Sequence, residues 1–373
     1  MLRTIIRVPI LLLFILSSLF LSTTGCSLPY VYHTAKGQYQ LLHGSIPVEE
    51  ALTGETLGSK ESEKLRLVAL VKAFGEEKLG LKKTDNYQTV YLESNQAPIY
   101  TLTASPKDCL KQVTWWFPIV GRMPYLGFFD LKKAEKKKEK LLSKDLDVFM
   151  GVAAAYSTLG WFKDPVTMNL LEGSTLDLVE TILHEMTHTT LYLKGEGEFN
   201  EGLAVLVGKA GAVEFFESNY GPLNPLTIEA RNSMADERVF SLFMDSLLHE
   251  LDQLYKSPIS YQEKLIRREK IFDSFLDRFV EIRRQLQTNY FTHFGIVELN
   301  NAYLMAIGLY HRNFTLFEAL LKEKNHSVKE TILYLRESAK KEELGMKWLK
   351  NRVQKNPPNG AVIAETVMSL DEK

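Results

Sequence analysis

The stretch "ILHEMTHTTLYLKGEGEFNEGLAVLVG" (residues 182–208) contains His184 and His188, four residues apart, with Glu185 directly after the first. A further glutamate, Glu201, follows thirteen residues after His188. Side chains four apart on an α-helix lie on one face, so both imidazoles would reach a single cation if this segment is helical. The alternative is that these are only charged residues on helix surfaces.

The residues before this stretch predict the helix that such a site needs. Ser174 is a candidate N-cap, and Asp177 three residues later would complete a capping box. Apolar residues at 176, 179, 182, 183 and 186 would bury one side of the helix. The two histidines then share another face with Asp177 and Thr181, so they follow the helical period.

A zinc ion would need a third protein ligand, with the fourth position left for water in a catalytic site. Glu201 is predicted as that ligand, because Gly195 and Gly197 permit a turn and the residues after it have the apolar spacing of a second, antiparallel helix. One Zn²⁺ would then be held by His184, His188 and Glu201. An inert structural zinc site is an alternative, but such sites usually have four protein ligands, often cysteines.

Glu185 is predicted to be the general base and not a ligand. Its position one residue after His184 turns it by about 100° around the helix, toward the water of the site. From there it would take a proton from the attacking water and carry it to the leaving amine. The motif by itself predicts metal-dependent hydrolysis without naming a substrate.

The oxyanion of such a reaction needs a further hydrogen-bond donor. Candidates lie in "NNAYLMAIGLYHRNF" (residues 300–314), where Asn300, Tyr303 and Tyr310 share a helical face and His311 lies beside it. Tyr310 is the predicted catalytic donor, and His311 is the second candidate. The alternative for each is an aromatic side chain of the core.

Four blocks, in this order, resemble a family of predicted bacterial zinc aminopeptidases, gluzincin-like enzymes that often carry a lipoprotein signal. The blocks are "TWWFPIVGRMPYLGFFD" (114–130), "GVAAAYSTLGWFKDP" (151–165), "LHEMTHTTLYLKGEGEFNEGLA" (183–204) and "NNAYLMAIGLYHR" (300–312). The resemblance implies a peptidase that works outside the cytoplasm and cleaves at the N-terminus. It also implies His184, His188 and Glu201 as zinc ligands and Glu185 as the catalyst.

The chain departs from the family pattern at three positions. Trp116 and Arg122 stand where the family carries cysteines, and Leu126 stands where it carries an arginine. Loss of both cysteines is consistent with loss of one disulfide, which would leave the loop held by packing. The exchange at Leu126 puts substrate specificity in doubt.

Substrate contacts are predicted in the block before the zinc helix. The segment "AYSTLG" would form an edge strand to which a peptide could add as a further strand. Its predicted substrate-binding residues are Tyr156, Ser157, Thr158, Leu159 and Gly160. An aminopeptidase must also bind a free ammonium group, and Glu172 and Glu198 are both candidates.

The predicted fold is mainly α with a small antiparallel β-sheet, of the α+β class. Helix is predicted over residues 48–79 and 132–142, the sheet within about 85–170, and the active-site helices within 174–220. A helical C-terminal part follows over about 228–350, and residues 351–373 are predicted to be a flexible tail. Residues 26–350 would form one metallopeptidase domain.

The N-terminus reads as an export signal. Residues 1–25 combine Arg3 and Arg7 with an apolar run of about 14 residues, which is short for a membrane span. The exit "TTGC" resembles a bacterial lipobox, so Cys26 is predicted to be lipidated and to anchor the protein in the bilayer. A retained membrane anchor is the alternative. If the source is Gram-negative, Ser27 favours the periplasmic face of the outer membrane.

The net charge of the chain bears on which classes of partner it can bind. Net charge is −1 over 373 residues, which gives no global field for nucleic acid. The resemblance implies peptides as substrates, and the predicted lipidation of Cys26 implies the bilayer as a further partner. The function predicted is a zinc peptidase, most simply an aminopeptidase. The alternatives are an envelope endopeptidase and a non-enzymatic lipoprotein that uses the zinc fold as a binding module.

Overall fold

The computed structural model describes residues 28–54, 56–92, 99–117, 121–153 and 163–355. The helices in these residues are α1 Leu28–His43, α2 Val48–Thr53, α3 Ser59–Glu77, α4 Leu131–Leu142, α5 Met168–Glu172, α6 Thr175–Thr190, α7 Gly197–Tyr220, α8 Pro225–Lys256, α9 Tyr261–Gln285, α10 Asn301–His311, α11 Phe314–Glu323, α12 Val328–Ser338 and α13 Met346–Lys355. The strands are β1 Ile46–Pro47, β2 Thr89–Tyr91, β3 Ile99–Pro106, β4 Trp115–Phe117, β5 Gly121–Met123, β6 Leu126–Phe128, β7 Leu146–Ala153 and β8 Val166–Thr167.

These strands form three small sheets within the described residues, in the orders β1-β2-β8, β6-β3-β7 and β4-β5. All neighbouring strands are antiparallel except β2 and β8, which are parallel. Parallel pairing needs a long crossover, and here the chain between β2 and β8 includes the β6-β3-β7 sheet. The predicted mainly α, α+β class is confirmed, with several small sheets in place of one.

The helical pattern is broken in more places than the sequence analysis expected. The helix predicted over 48–79 is two helices, α2 and α3, because the chain turns extended at Gly54 and Gly58. Residues 286–300 separate α9 from α10, a break that was not predicted. Helix α13 continues to Lys355, into the stretch predicted as a tail, since its Leu349 and Val353 are buried.

Buried side chains form three clusters, the largest of which contains the α6–α7 pair. The largest joins α3, α6, α7, α11, α12 and α13. A second, rich in phenylalanine, joins α8, α9 and α10, and a third lies between α4 and the β6-β3-β7 sheet. Helix α10 links the first two, because Tyr310 packs on the first cluster and Tyr303 belongs to the second.

Among the described residues, no helix has the length and apolar content needed to cross a membrane. The predicted signal of residues 1–25 and the predicted lipidation site, Cys26, lie outside the described residues.

Candidate metal centre and active site

Helix α6 carries the two histidines and begins as its sequence predicts. The Ser174 hydroxyl accepts a hydrogen bond from the Asp177 N–H at 3.0 Å, and the Asp177 carboxylate accepts one from the Ser174 N–H at 3.3 Å. This is the predicted capping box. Five apolar side chains of one face are buried, as predicted: Leu176, Val179, Ile182, Leu183 and Met186.

Helix α7 packs directly on α6 because glycines lie in the contact. A Cβ at Gly208 would lie 2.8 Å from the Glu180 carbonyl oxygen, and one at Gly211 would lie 2.9 Å from a methyl carbon of Leu183. No side chain fits in this contact, so the two backbones can approach closely. The N-terminal turns of α7 then lie beside the C-terminal turns of α6, as in the predicted antiparallel pair.

The loop between the two helices is held by Asn200. Its Oδ1 accepts the Leu193 N–H at 2.9 Å, and its Nδ2 donates to the Leu193 carbonyl at 2.8 Å. Gly195 adopts φ +86°, a conformation that favours glycine, so the predicted turn forms here. Asn200 is buried and directly precedes Glu201, so these bonds fix the position from which Glu201 projects.

His184, His188 and Glu201 converge on one point. Their facing atoms are Nε2 of each histidine and Oε2 of Glu201: the two nitrogens lie 3.1 Å apart, and the carboxylate oxygen lies 3.2 Å from His184 and 3.3 Å from His188. Tetrahedral zinc with bonds of about 2.0–2.1 Å places its ligand atoms about 3.3 Å apart. The predicted ligands are therefore spaced as a zinc site requires.

The charges of this cluster depend on one another. Burial would lower the pKa of His188, but the carboxylate of Glu201 outweighs it and raises that pKa to about 9. Burial would raise the pKa of Glu201, but the imidazoles of His188 and His184 hold it far below its usual range. The carboxylate thus stays ionised and attracts a positive charge to the centre, either a proton or a metal ion.

Tyr310 lies against this cluster. Its ring is stacked on that of His184, with centroids 6.1 Å apart. The charge of Glu201 and burial, with smaller contributions from Tyr125 and Glu185, raise the pKa of Tyr310 well above its ordinary value. A phenol that stays protonated can donate a hydrogen bond to an oxygen that gains negative charge. The structure therefore brings the predicted donor and the predicted base, Glu185, to the same site.

His311, the second candidate donor, is held by a carboxylate of α8. Its Nδ1 lies 2.8 Å from Oε1 of Glu237, a fully buried carboxylate. The imidazole ring meets Phe240 and Phe291 edge to face, at 5.5 and 5.2 Å between centroids. His311 also contacts its neighbour Tyr310, with ring centroids 6.4 Å apart. Of the two candidate donors, Tyr310 is the one whose ring is stacked on His184.

A buried ion pair lies one turn before His184. Nζ of Lys209 lies 2.8 Å from the Glu180 carboxylate, 2.7 Å from the Ser233 hydroxyl and 4.0 Å from Glu237. Burial would lower the pKa of Lys209, but these carboxylates raise it, so the lysine stays charged. The group joins α6, α7 and α8 behind the metal centre.

The other residues predicted to contact the substrate lie outside the described residues, are exposed, or are paired with other side chains. The substrate-binding segment Tyr156, Ser157, Thr158, Leu159 and Gly160 lies outside them. Glu172 is exposed at the end of α5. Glu198 accepts a hydrogen bond from the Asn313 amide and lies 3.4 Å from the Arg312 guanidinium, which neutralises its charge.

Two tyrosines near the site were not predicted. Tyr87 has φ +64°, rare for a non-glycine residue, and its N–H donates to the Asp164 carbonyl at 2.8 Å. Burial and the charges of Glu185 and Asp164 raise its pKa. Tyr192 has its ring 6.5 Å from that of His188. The position of Tyr192, four residues after His188, is a sequence signal for this contact. No local sequence pattern indicates that Tyr87 lies near the site.

Comparison with known proteins shows which family this chain belongs to. No curated protein and no solved structure matches the chain. A family model described as "Putative aminopeptidase" matches residues 29–345, which include all of the converging residues above. The match covers most of the sequence and extends well beyond the histidine motif. The chain therefore belongs to the putative aminopeptidase family.

Proposed function

We propose that this protein is a zinc-dependent aminopeptidase that hydrolyses peptides at the cell envelope. The observation that carries the proposal is the convergence of His184, His188 and Glu201 within hydrogen-bond distance of one another. Membership in a family named for peptidase activity supports the same reaction. The predicted lipidation of Cys26 would place the enzyme on the bilayer, outside the cytoplasm.

The donor set fits zinc. Two imidazole nitrogens and one carboxylate oxygen are ligands that zinc commonly takes in catalytic sites, with a fourth position left open. Nδ1 of His188 is buried without a hydrogen-bond partner in the described residues. That ring is therefore positioned by packing and by the contacts of its Nε2, without the second hydrogen bond that commonly orients a metal-binding histidine. A zinc ion bound here would polarise the scissile carbonyl and acidify the attacking water.

The protein's own groups supply the proton transfers. Glu185 follows His184 on α6 and would accept a proton from the attacking water, then deliver it to the leaving amine. Tyr310, kept protonated by the carboxylates around it, would donate a hydrogen bond to the carbonyl oxygen as negative charge develops there. Glu201 binds and does not transfer protons, since both histidines hold it ionised.

Substitution of Glu185 by Gln tests the mechanism. We expect the variant to keep one equivalent of zinc and to lose at least about a hundredfold in kcat, the low end for general bases. Glu135→Gln, on the exposed face of α4, is the matched control and should retain full activity. Unchanged turnover by Glu185→Gln, with zinc content confirmed by metal analysis, would reject the mechanism.

Blocked and free peptides distinguish the aminopeptidase from an endopeptidase. The enzyme should release the first residue of peptides with a free α-amino group and leave their N-acetylated forms intact. Chromatography of the products identifies the bond that is cut. Cleavage of the acetylated peptides at a comparable rate would establish an endopeptidase in its place.

A further inference from the structure

We propose that a cavity beside the metal centre binds a carboxylate group of the peptide substrate through Arg122, an inference that rests on the proposed function. The cavity has a volume of about 350 Å³. It opens between the β5 strand and the turn after it, the loop between α6 and α7, and helix α10. This volume is at the lower end for small-molecule sites and suits one or two amino-acid residues.

Three residues that line the cavity are close along the chain to residues at or near the candidate metal centre. Glu198 lines the cavity and lies one helical turn before the metal-binding Glu201. Leu309 lines it and directly precedes Tyr310. Pro124 lines it and directly precedes Tyr125, a residue close enough to Tyr310 to influence its ionisation. The elements that carry the candidate metal centre therefore also form walls of this cavity, so a peptide bound at the metal could extend into it.

The charge of the cavity is positive. Its wall contains two guanidinium groups, Arg122 and Arg312, and one carboxylate, Glu198. Arg312 lies 3.4 Å from Glu198 and 4.0 Å from Asp245, so its charge is already balanced. Arg122 is exposed, forms no ion pair among the described residues, and donates one hydrogen bond, at 3.3 Å, to Thr114. The guanidinium of Arg122 remains available to a ligand.

A carboxylate is the group that this arrangement recognises best. Guanidinium binds carboxylates through two parallel hydrogen bonds, a geometry that an ammonium group cannot provide. The neighbouring cavity, on the far side of the same loop, has the opposite charge: Glu196, Glu342 and Glu343 line it with only one lysine, Lys194. An anionic group of the substrate would therefore enter the Arg122 cavity and avoid its neighbour.

Two parts of a peptide can supply the carboxylate: the C-terminus of a short peptide, or the side chain of Asp or Glu near the cleaved bond. Binding can be measured by calorimetry with the zinc-loaded full chain carrying Glu185→Gln, so that the peptides survive. One pair of ligands is Ala-Ala and Ala-Ala amide. The second pair is Ala-Asp amide and Ala-Asn amide.

In at least one pair, the carboxylate ligand should bind about fivefold more tightly or better, as a partly exposed charge pair allows. Adding Arg122→Gln should reduce that ratio to about one, and Arg122→Lys should leave an intermediate ratio. Arg66→Gln, at an exposed position on α3, is the control and should preserve the ratio. The pair that shows the preference identifies the source of the carboxylate.

Equal affinities in both pairs, or a preference that survives Arg122→Gln, would overturn the proposal. Thermal unfolding of each variant verifies that the fold is intact. The same samples report separately on the proposed function. Rapid hydrolysis of the peptides by the Glu185→Gln protein would contradict the mechanism, whatever the affinity ratio.

Discussion

Asn200 and Leu193 form a closed pair of hydrogen bonds: the Asn200 side chain accepts the Leu193 N–H and donates to the Leu193 carbonyl, at 2.9 and 2.8 Å. The Asn200 side chain thus takes the place of a backbone partner for Leu193, in the loop between α6 and α7. Because Glu201 is the next residue, the pair sets the distance between the loop and the third predicted zinc ligand. Residue 200 thus acts on the metal centre without touching it.

Asn200→Ala should weaken zinc binding by about tenfold or more, as loss of groups that orient ligands commonly does. It should also lower the free energy of unfolding by about 1–3 kcal/mol, because two partly buried backbone groups of Leu193 lose their partner. Chelator competition measures the first effect and denaturant titration the second. Asn219→Ala is the control, since Asn219 lies on the same helix but binds only the Phe215 carbonyl at an exposed end. Equal zinc affinity in the two variants would show that the pair does not position Glu201.

Breaking the ion pair between Lys209 and Glu180 should lower the free energy of unfolding by several kcal/mol. Lys209→Met removes the cation of the buried Glu180 carboxylate and leaves His311 as the basic partner of Glu237, which should cost about 3–5 kcal/mol of unfolding free energy. Lys136→Met, on the exposed face of α4, should cost close to nothing. Denaturant titration of the purified variants compares the two. A loss below about 1 kcal/mol in Lys209→Met would mean that the carboxylates are neutralised in another way.

Zinc binding should release a proton from His188. The imidazole, whose pKa Glu201 raises to about 9, is protonated at neutral pH in the metal-free protein, and zinc needs its neutral form. Between pH 6 and 8, zinc affinity should therefore rise about tenfold per pH unit. Calorimetry in buffers of different ionisation enthalpy counts the released protons. His249→Gln, an exposed histidine on α8, should leave that count unchanged. An affinity that is flat over this range would exclude proton displacement.

Much of the metal centre follows from short-range spacing. The positions of His184 and His188, their helix and its capping box all depend on residues within four positions of one another, and helix geometry converts such spacing into a shared face. Glu201 was predicted with more difficulty, because it required a turn and an antiparallel second helix. Both are present, since Gly195 permits the turn and Gly208 permits the close approach.

The prediction of secondary structure is most accurate where the apolar residues keep one spacing over the whole element. The helix predicted over 132–142 is found at Leu131–Leu142, and all described strands but β1 lie within the predicted sheet region of about 85–170. The break after α2 has a local signal in Gly54 and Gly58, but the apolar period of the surrounding residues outweighed it in the prediction. The break at residues 286–300 likewise contains turn-forming residues, Asn289 and Gly295, within an apolar stretch.

What the sequence determined by itself is the local pattern of the candidate centre: two histidines and a glutamate whose spacing on one helix is set by local backbone geometry, and a second glutamate on the next helix. Only the tertiary structure decided which distant side chains surround that centre. Tyr87, Arg122 and Lys209 lie on separate elements, and each meets its neighbours through packing across long stretches of chain. Such contacts leave no period in the sequence, because they depend on the summed burial of many apolar side chains and not on spacing between neighbours.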